Sequence, residues 1–77
     1  MRKWEVNHAG SVITVENRSG GERLYVNGEL QDERMGFSFQ SRLWGQLATG
    51  ETVKVSIGGI FVVHCRIFVN NKLVLSE

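Results

Sequence analysis

Proline is absent from this chain of 77 residues, cysteine occurs once, no long apolar run is present and neither charge predominates. Each absence closes a route. A single cysteine, Cys65, cannot form an internal disulfide, so no covalent staple is expected and a reducing compartment suits the protein. No segment approaches the roughly 18 apolar residues of a membrane-spanning helix. The opening stretch MRKWEVNHAG also lacks the apolar core of a secretory leader, and we expect a cytoplasmic protein. Nine Lys and Arg stand against eight Asp and Glu, for a net charge of +1, with the two signs mixed along the chain. That balance argues against a strong electrostatic footprint for nucleic acid or for an anionic membrane surface. No membrane partner is therefore expected, and nucleic acid is not favoured.

Helical periodicity is missing too. No window of ten or more residues carries apolar positions at helical spacing; the pattern that recurs is strict alternation. In SVITVEN, Ile13 and Val15 share one side, with Val12, Thr14 and Glu16 on the other. ETVKVSI places Val53, Val55 and Ile57 together, KWEVNH does so with Trp4 and Val6, and MGFSFQSRLWG sets Met35, Phe37, Phe39 and Leu43 on a single face. Side chains alternate across a strand, so each segment predicts a strand with one buried face. The apolar fraction of 42% at low net charge predicts a globular domain. At this length only about 60% of the unfolded surface is buried on folding, so the core must be tightly filled. Residues 1–77 are expected to form one domain.

Without proline, the punctuation falls to glycine and asparagine. His8-Ala9-Gly10, Ser19-Gly20-Gly21, Asn27-Gly28, Thr49-Gly50, Gly58-Gly59 and Asn70-Asn71 divide the chain into short segments. Asn-Gly is the strongest short-range signal for a two-residue hairpin turn with positive φ at both central positions, and Asn-Asn can adopt the same turn at higher cost. Seven or eight antiparallel strands follow, in an all-β two-sheet sandwich or flattened barrel. The stretch RLYVNGEL at residues 23–30 returns 43 positions later as RIFVNNKL at residues 66–73. Each copy is preceded by an apolar strand ending in glycine, so we expect two equivalent hairpins, one per half, with a long strand around Phe37 to Trp44 between them.

These pieces, in this order, resemble the β-sandwich domain of the Fas apoptotic inhibitory molecule family. The likeness covers nearly the whole chain: Trp4 with its alternating neighbours, SGGERLYVNGE at residues 19–29, the aromatic strand around Met35 to Phe39, and GGIFVVHCRIFVNNKL at residues 58–73. Asn71 departs from the glycine that the family tends to have at that turn, and the chain is shorter than the family's two-domain animal members. The resemblance implies an all-β fold and a non-enzymatic role in protein association or in restraining aggregation. It implies no catalytic residue.

The residues themselves carry little chemistry. His64 and Cys65 are adjacent on a strand and must point to opposite faces, so they do not meet as base and nucleophile. His8, His64 and Cys65 lack the close spacing of known zinc sites, and neither a metal nor a cofactor is expected. The loop SGGE with Arg23 could form a backbone nest for an anion, but it has no lysine and no following helix, and a hairpin explains its glycines. Glu29, Asp32 and Glu33 fall at what should be a solvated strand end, which does not suit a general acid and base pair.

The outward face of the late strand is the most informative feature. If Phe61, Val63, Cys65, Ile67 and Val69 point inward, then Ile60, Val62, His64, Arg66 and Phe68 share the other side. The same phase turns Arg23 and Tyr25 outward, along with Gln40, Arg42 and Trp44. Either this face is covered by the other sheet or by the termini, or its aromatic residues and arginines take a partner. Tyr25, Trp44, His64, Arg66 and Phe68 are thus the candidate partner-binding residues. The expected occupant is a protein, including another copy of the chain. A small ligand or a single nucleic-acid strand is the alternative.

Overall fold

The structure, a computed structural model, describes residues 1–36 and 38–77. Among the described residues there are eight strands and no helix: β1 (Arg2–His8), β2 (Ser11–Arg18), β3 (Gly21–Val26), β4 (Glu29–Met35), β5 (Gln40–Gln46), β6 (Thr52–Gly58), β7 (His64–Val69) and β8 (Lys72–Ser76). They form two antiparallel four-stranded sheets, each a simple meander, ordered β1-β2-β3-β4 and β5-β6-β7-β8. The sheets lie face to face as a sandwich that does not close into a barrel. Every backbone ladder joins strands adjacent in the chain.

The alternation dictates the core. Ile13, Val15, Leu24 and Val26 from the first sheet and Leu43, Val53, Val55, Ile67 and Val69 from the second are buried between the sheets, joined by Trp4, Ile57, Leu47 and Cys65. Burying a side chain of this size stabilises by about 1.5–3 kcal/mol.

The repeat is structural as well as textual, and it encompasses the whole chain. Ile13 pairs with Val26 in the first sheet as Val53 pairs with Val69 in the second. Trp4 stands beside Val15 as Leu43 stands beside Val55. Even the irregularities correspond: the register slips at Leu24/Tyr25 in one half and at Ile67/Phe68 in the other, 43 positions apart. The Val12 amide donates to Asn27 Oδ1 at 2.9 Å while the Asn27 amide donates to the Val12 carbonyl at 2.8 Å. Thr52 and Asn70 repeat the arrangement at 3.0 and 2.9 Å. Each asparagine sits in a turn with two positive φ values, 51° and 82° for Asn27-Gly28, 47° and 66° for Asn70-Asn71. β5 is the first strand of the second half, so no additional strand separates the copies.

One expected strand is shorter than its pattern: Gln40 to Trp44 lie in β5, and the stretch before them is not part of it. MGFSFQSRLWG is divided: Met35 ends β4, Gly36 has φ 90°, and the chain crosses to the other sheet before β5 begins at Gln40. Leu43 is buried as expected, whereas Met35 and Phe39 are exposed; Phe37 lies outside the described residues. Alternating apolar residues mark an extended chain without showing whether a sheet continues through it.

The crossover also joins the two sheets along one seam. Asp32 Oδ2 on β4 accepts from the Trp44 amide of β5 at 2.9 Å, and the Arg34 guanidinium donates from Nε to the Arg42 carbonyl at 3.2 Å. Gln31 Oε1 faces the Gln46 amide at 3.4 Å. Side chains of one edge strand thereby occupy the free backbone groups of the other, a recognised way to quiet a sheet edge.

The second turn supplies opposed predictions at neighbouring positions. Asn70→Ala removes the acceptor for the Thr52 amide and leaves an unsuited residue at positive φ, which costs about 1–2 kcal/mol. Asn71→Gly relieves part of the left-handed strain and raises stability by roughly 0.5 kcal/mol. In thermal melts followed by circular dichroism, the first lowers and the second raises the midpoint by a few degrees.

Candidate functional site

Alternation along β5, β6 and β7 turns one row of each strand away from the core. On the outer face of the second sheet, Trp44 pairs with Lys54, Lys54 with Phe68 and Phe68 with Leu73. The Lys54 ammonium lies 4.7 Å from the Phe68 ring centre and 5.9 Å from that of Trp44. Cation–π contacts of this kind are worth about 0.5–1 kcal/mol at exposed sites, and here they hold two aromatic rings on either side of one cation. The next outward row runs Arg42, Ser56, Arg66, Ser76, and beyond it stand Gln40, Gly58 and His64. The face therefore grades from aromatic to basic along the strands.

This face is open. Trp44 retains 49% of its accessible surface, His64 and Arg66 are exposed and Phe68 is half-buried. Neither the other sheet nor the termini cover it. The phase expected for His64, Arg66 and Phe68 holds, since Cys65, Ile67 and Val69 are buried between them.

Tyr25 does not belong to that surface. It lies on β3, outward on the first sheet, at the position equivalent to Phe68. Arg23 stands where Arg66 stands in the other half, and it is paired with Glu33 at 2.9 Å. Strand phase places both halves outward, but the two outward faces point in opposite directions. Four of the five candidate residues are thus brought together, and the fifth is on the far side.

The segment before β7 differs from expectation as well. Phe61 was expected inward and Ile60 and Val62 on the outward row of the strand, but β7 begins only at His64 and residues 59–63 form a loop. Phe61 is 98% exposed, Ile60 77% and Val62 57%, while Val63 is half-buried against the core. Gly59 is responsible for the break: its φ is 143°, and a Cβ there would collide with the Val62 carbonyl. Charge is also arranged in a way the chain order conceals. Seven of the nine Lys and Arg (Arg2, Lys3, Arg18, Arg23, Arg34, Arg42, Arg66) lie in the half nearer this loop, against four of the eight carboxylates. Glu29 and Glu51 occupy the other end with Lys54 and Lys72, and Glu5 and Asp32 stand at the middle of their strands.

The remaining reactive groups are separated. His64 and Cys65 face opposite ways on β7, and burial pushes the Cys65 thiol up to about 12, far from a thiolate nucleophile. His8 ends β1 and His64 starts β7, at opposite ends of the sandwich. Among the described residues no group of three His, Cys, Asp or Glu side chains is placed to hold a metal ion. The SGGE glycines form the β2–β3 turn, whose Gly20 carbonyl accepts from the Gly36 amide at 2.9 Å. Asp32 is engaged with the Trp44 backbone instead of forming a carboxylate pair. No family model, no curated protein and no solved structure matches this chain.

The buried thiol yields a test in two parts. Cys65 should react with a disulfide reagent slowly in the native protein and rapidly in urea. Because its folded pKa lies above that of an unfolded thiol, its contribution to stability is fully present below about pH 8.5 and is lost as pH rises toward 12. Melting midpoints across that window should fall more for the parent than for Cys65→Val.

Proposed function

We propose that the protein is a non-enzymatic association module that takes a protein partner on the outer face of its second sheet. Trp44 and Phe68 are the anchors, and His64 and Arg66 supply the polar border. The observation that carries this reading is the half-exposed Trp44, fixed against Lys54 beside Phe68 on an uncovered sheet. An aromatic ring already held in place loses little freedom on binding, and Trp, Tyr and Arg dominate the energetics of protein interfaces. The resemblance to the Fas apoptotic inhibitory molecule domain points the same way, toward association or restraint of aggregation. A reducing, cytoplasmic setting suits the lone buried cysteine.

A second reading rests on a different observation. Arg42 and Arg66 flank Ser56 in one row beside Trp44 and Phe68, an aromatic and cationic surface of the kind that stacks bases of a single nucleic-acid strand or holds a small ligand. Salt separates the two. Nucleic-acid binding weakens steeply with added salt, whereas an apolar protein contact does not.

The experiment is recovery of partners from extract by the parent and by Trp44→Ala, each first shown to give the same circular dichroism spectrum. We expect the variant to lose about tenfold or more in affinity for a recovered protein, since anchors of this type contribute about 2 kcal/mol or more. Equal recovery by both proteins removes Trp44 from the interface.

A further inference from the structure

Three loops meet at the end of the sandwich opposite the two asparagine turns. They are the Ser19-Gly20 turn, the crossover residues Gly36, Ser38 and Phe39 and the loop at residues 59–63. Backbone bonds pin them to one another: the Gly36 amide donates to the Gly20 carbonyl at 2.9 Å and the Gly59 amide to the Phe39 carbonyl at 3.1 Å. Arg2 adds a third tie, from Nη1 to the Val63 carbonyl at 2.7 Å. The end is therefore a built surface.

The internal repeat shows what has been added there. In the first half, Arg18 pairs with Gly21 across a turn of two residues; in the second, Gly58 pairs with His64 across five. The additional length carries Ile60, Phe61 and Val62, all exposed. Phe39, 58% exposed, and Met35, also exposed, stand on the crossover tied to this loop. Five of the nine exposed large apolar side chains among the described residues are thus gathered at one end. This is also the end toward which most of the arginines lie, and the near-neutral total conceals that separation.

We propose that this loop end docks on an anionic lipid surface. Phe39, Ile60, Phe61 and Val62 enter the interfacial layer and the surrounding arginines meet headgroup phosphates. The shape favours lipid over a protein partner. Phe61, almost wholly exposed, stands outside the shallow hollow that Phe39, Gly59, Ile60 and Val63 line between the loops, so a protein would need a matching pocket for it whereas a bilayer interface yields to it. Arg42 and Arg66 stand in the outward row next to the Gly58–His64 pair from which the loop springs, with Arg34 donating to the Arg42 carbonyl beside them, and guanidinium groups bind phosphate with two parallel bonds. Basic side chains beside an inserted apolar group are the combination that attracts proteins to the anionic cytoplasmic leaflet. No helix among the described residues is long and apolar enough to cross a membrane. This proposal departs from the expectation, drawn from charges mixed along the chain, that no membrane surface attracts the protein, because folding gathers charges that chain order leaves mixed.

The test is cosedimentation of the intact protein with vesicles of phosphatidylcholine alone and of phosphatidylcholine with phosphatidylserine. We expect binding to the mixed vesicles only, weakened by added salt. It should be reduced roughly tenfold or more by Phe61→Ser, and also by Arg34→Gln combined with Arg66→Gln. Glu29→Gln and Trp44→Ala, which alter the far half, should leave it unchanged; because Arg66 borders both surfaces, Phe61→Ser and Trp44→Ala are the variants that separate this proposal from the protein-binding reading of the sheet face. Absence of binding by the parent to mixed vesicles overturns the proposal, as does equal binding by parent and Phe61→Ser. It is also overturned if the parent self-associates in lipid-free sedimentation and Phe61→Ser abolishes this, because the occupant is then a second copy.

Discussion

Everything in this fold depends on two rows of β-branched and leucine side chains meeting between the sheets. Neither meander can bury its inward face alone, and the chain has no helix, disulfide or metal cluster among its described residues to do so instead. Ile13, Val15, Leu24 and Val26 exist in a dry environment only because Leu43, Val53, Val55, Ile67 and Val69 lie opposite them. That mutual dependence fixes the orientation of each outward row. A one-residue slip in any strand would carry its core residues into solvent, and the asparagine bonds at Val12 and Thr52 hold the hairpins in the register that prevents it.

The near-identity of the halves gives weight to the places where they differ. Glu22 is buried where Cys65 stands in the second half, and Tyr25 and Phe68 exchange a phenol for a phenyl ring at matched positions. The β6–β7 connection gains an apolar tip that the β2–β3 turn lacks. Two sheets built on one plan therefore present dissimilar surfaces. The first has an outward row in which Arg23 is neutralised by Glu33; the second bears Trp44, Lys54 and Phe68, with arginines that have no carboxylate in the same row.

Much of this was legible in the chain itself. Ile13/Val15, Val53/Val55/Ile57 and Cys65/Ile67/Val69 alternate cleanly, and every such alternation is a strand with the expected face buried. Asn27-Gly28 and Asn70-Asn71 marked their turns because few other residue pairs tolerate positive φ twice in succession. The misreadings share one cause. Met35 and Phe39 share one phase and Ile60, Phe61 and Val62 run together without being buried, since a glycine (Gly36, Gly59) redirects the backbone and an apolar pattern carries no information about what lies opposite. Tyr25 was grouped with Trp44 for a related reason: phase along a strand distinguishes inside from outside but not which of two outsides. The charge separation could not be seen in chain order either, because antiparallel strands bring Arg2, Arg18, Arg34 and Arg66 to one end from four separate segments.

The meander order also governs how the molecule reaches this state. With every ladder formed between consecutive strands, most connections are tight turns, and each pairing closes only a short length of chain. The loop entropy that slows other all-β proteins is small here. Each half can zip from its own asparagine turn without waiting for the other, leaving one non-local event, the meeting of the two faces across the crossover. Folding should consequently lie toward the rapid end of the range for β-sheet proteins, with docking of the halves as the step that commits the chain.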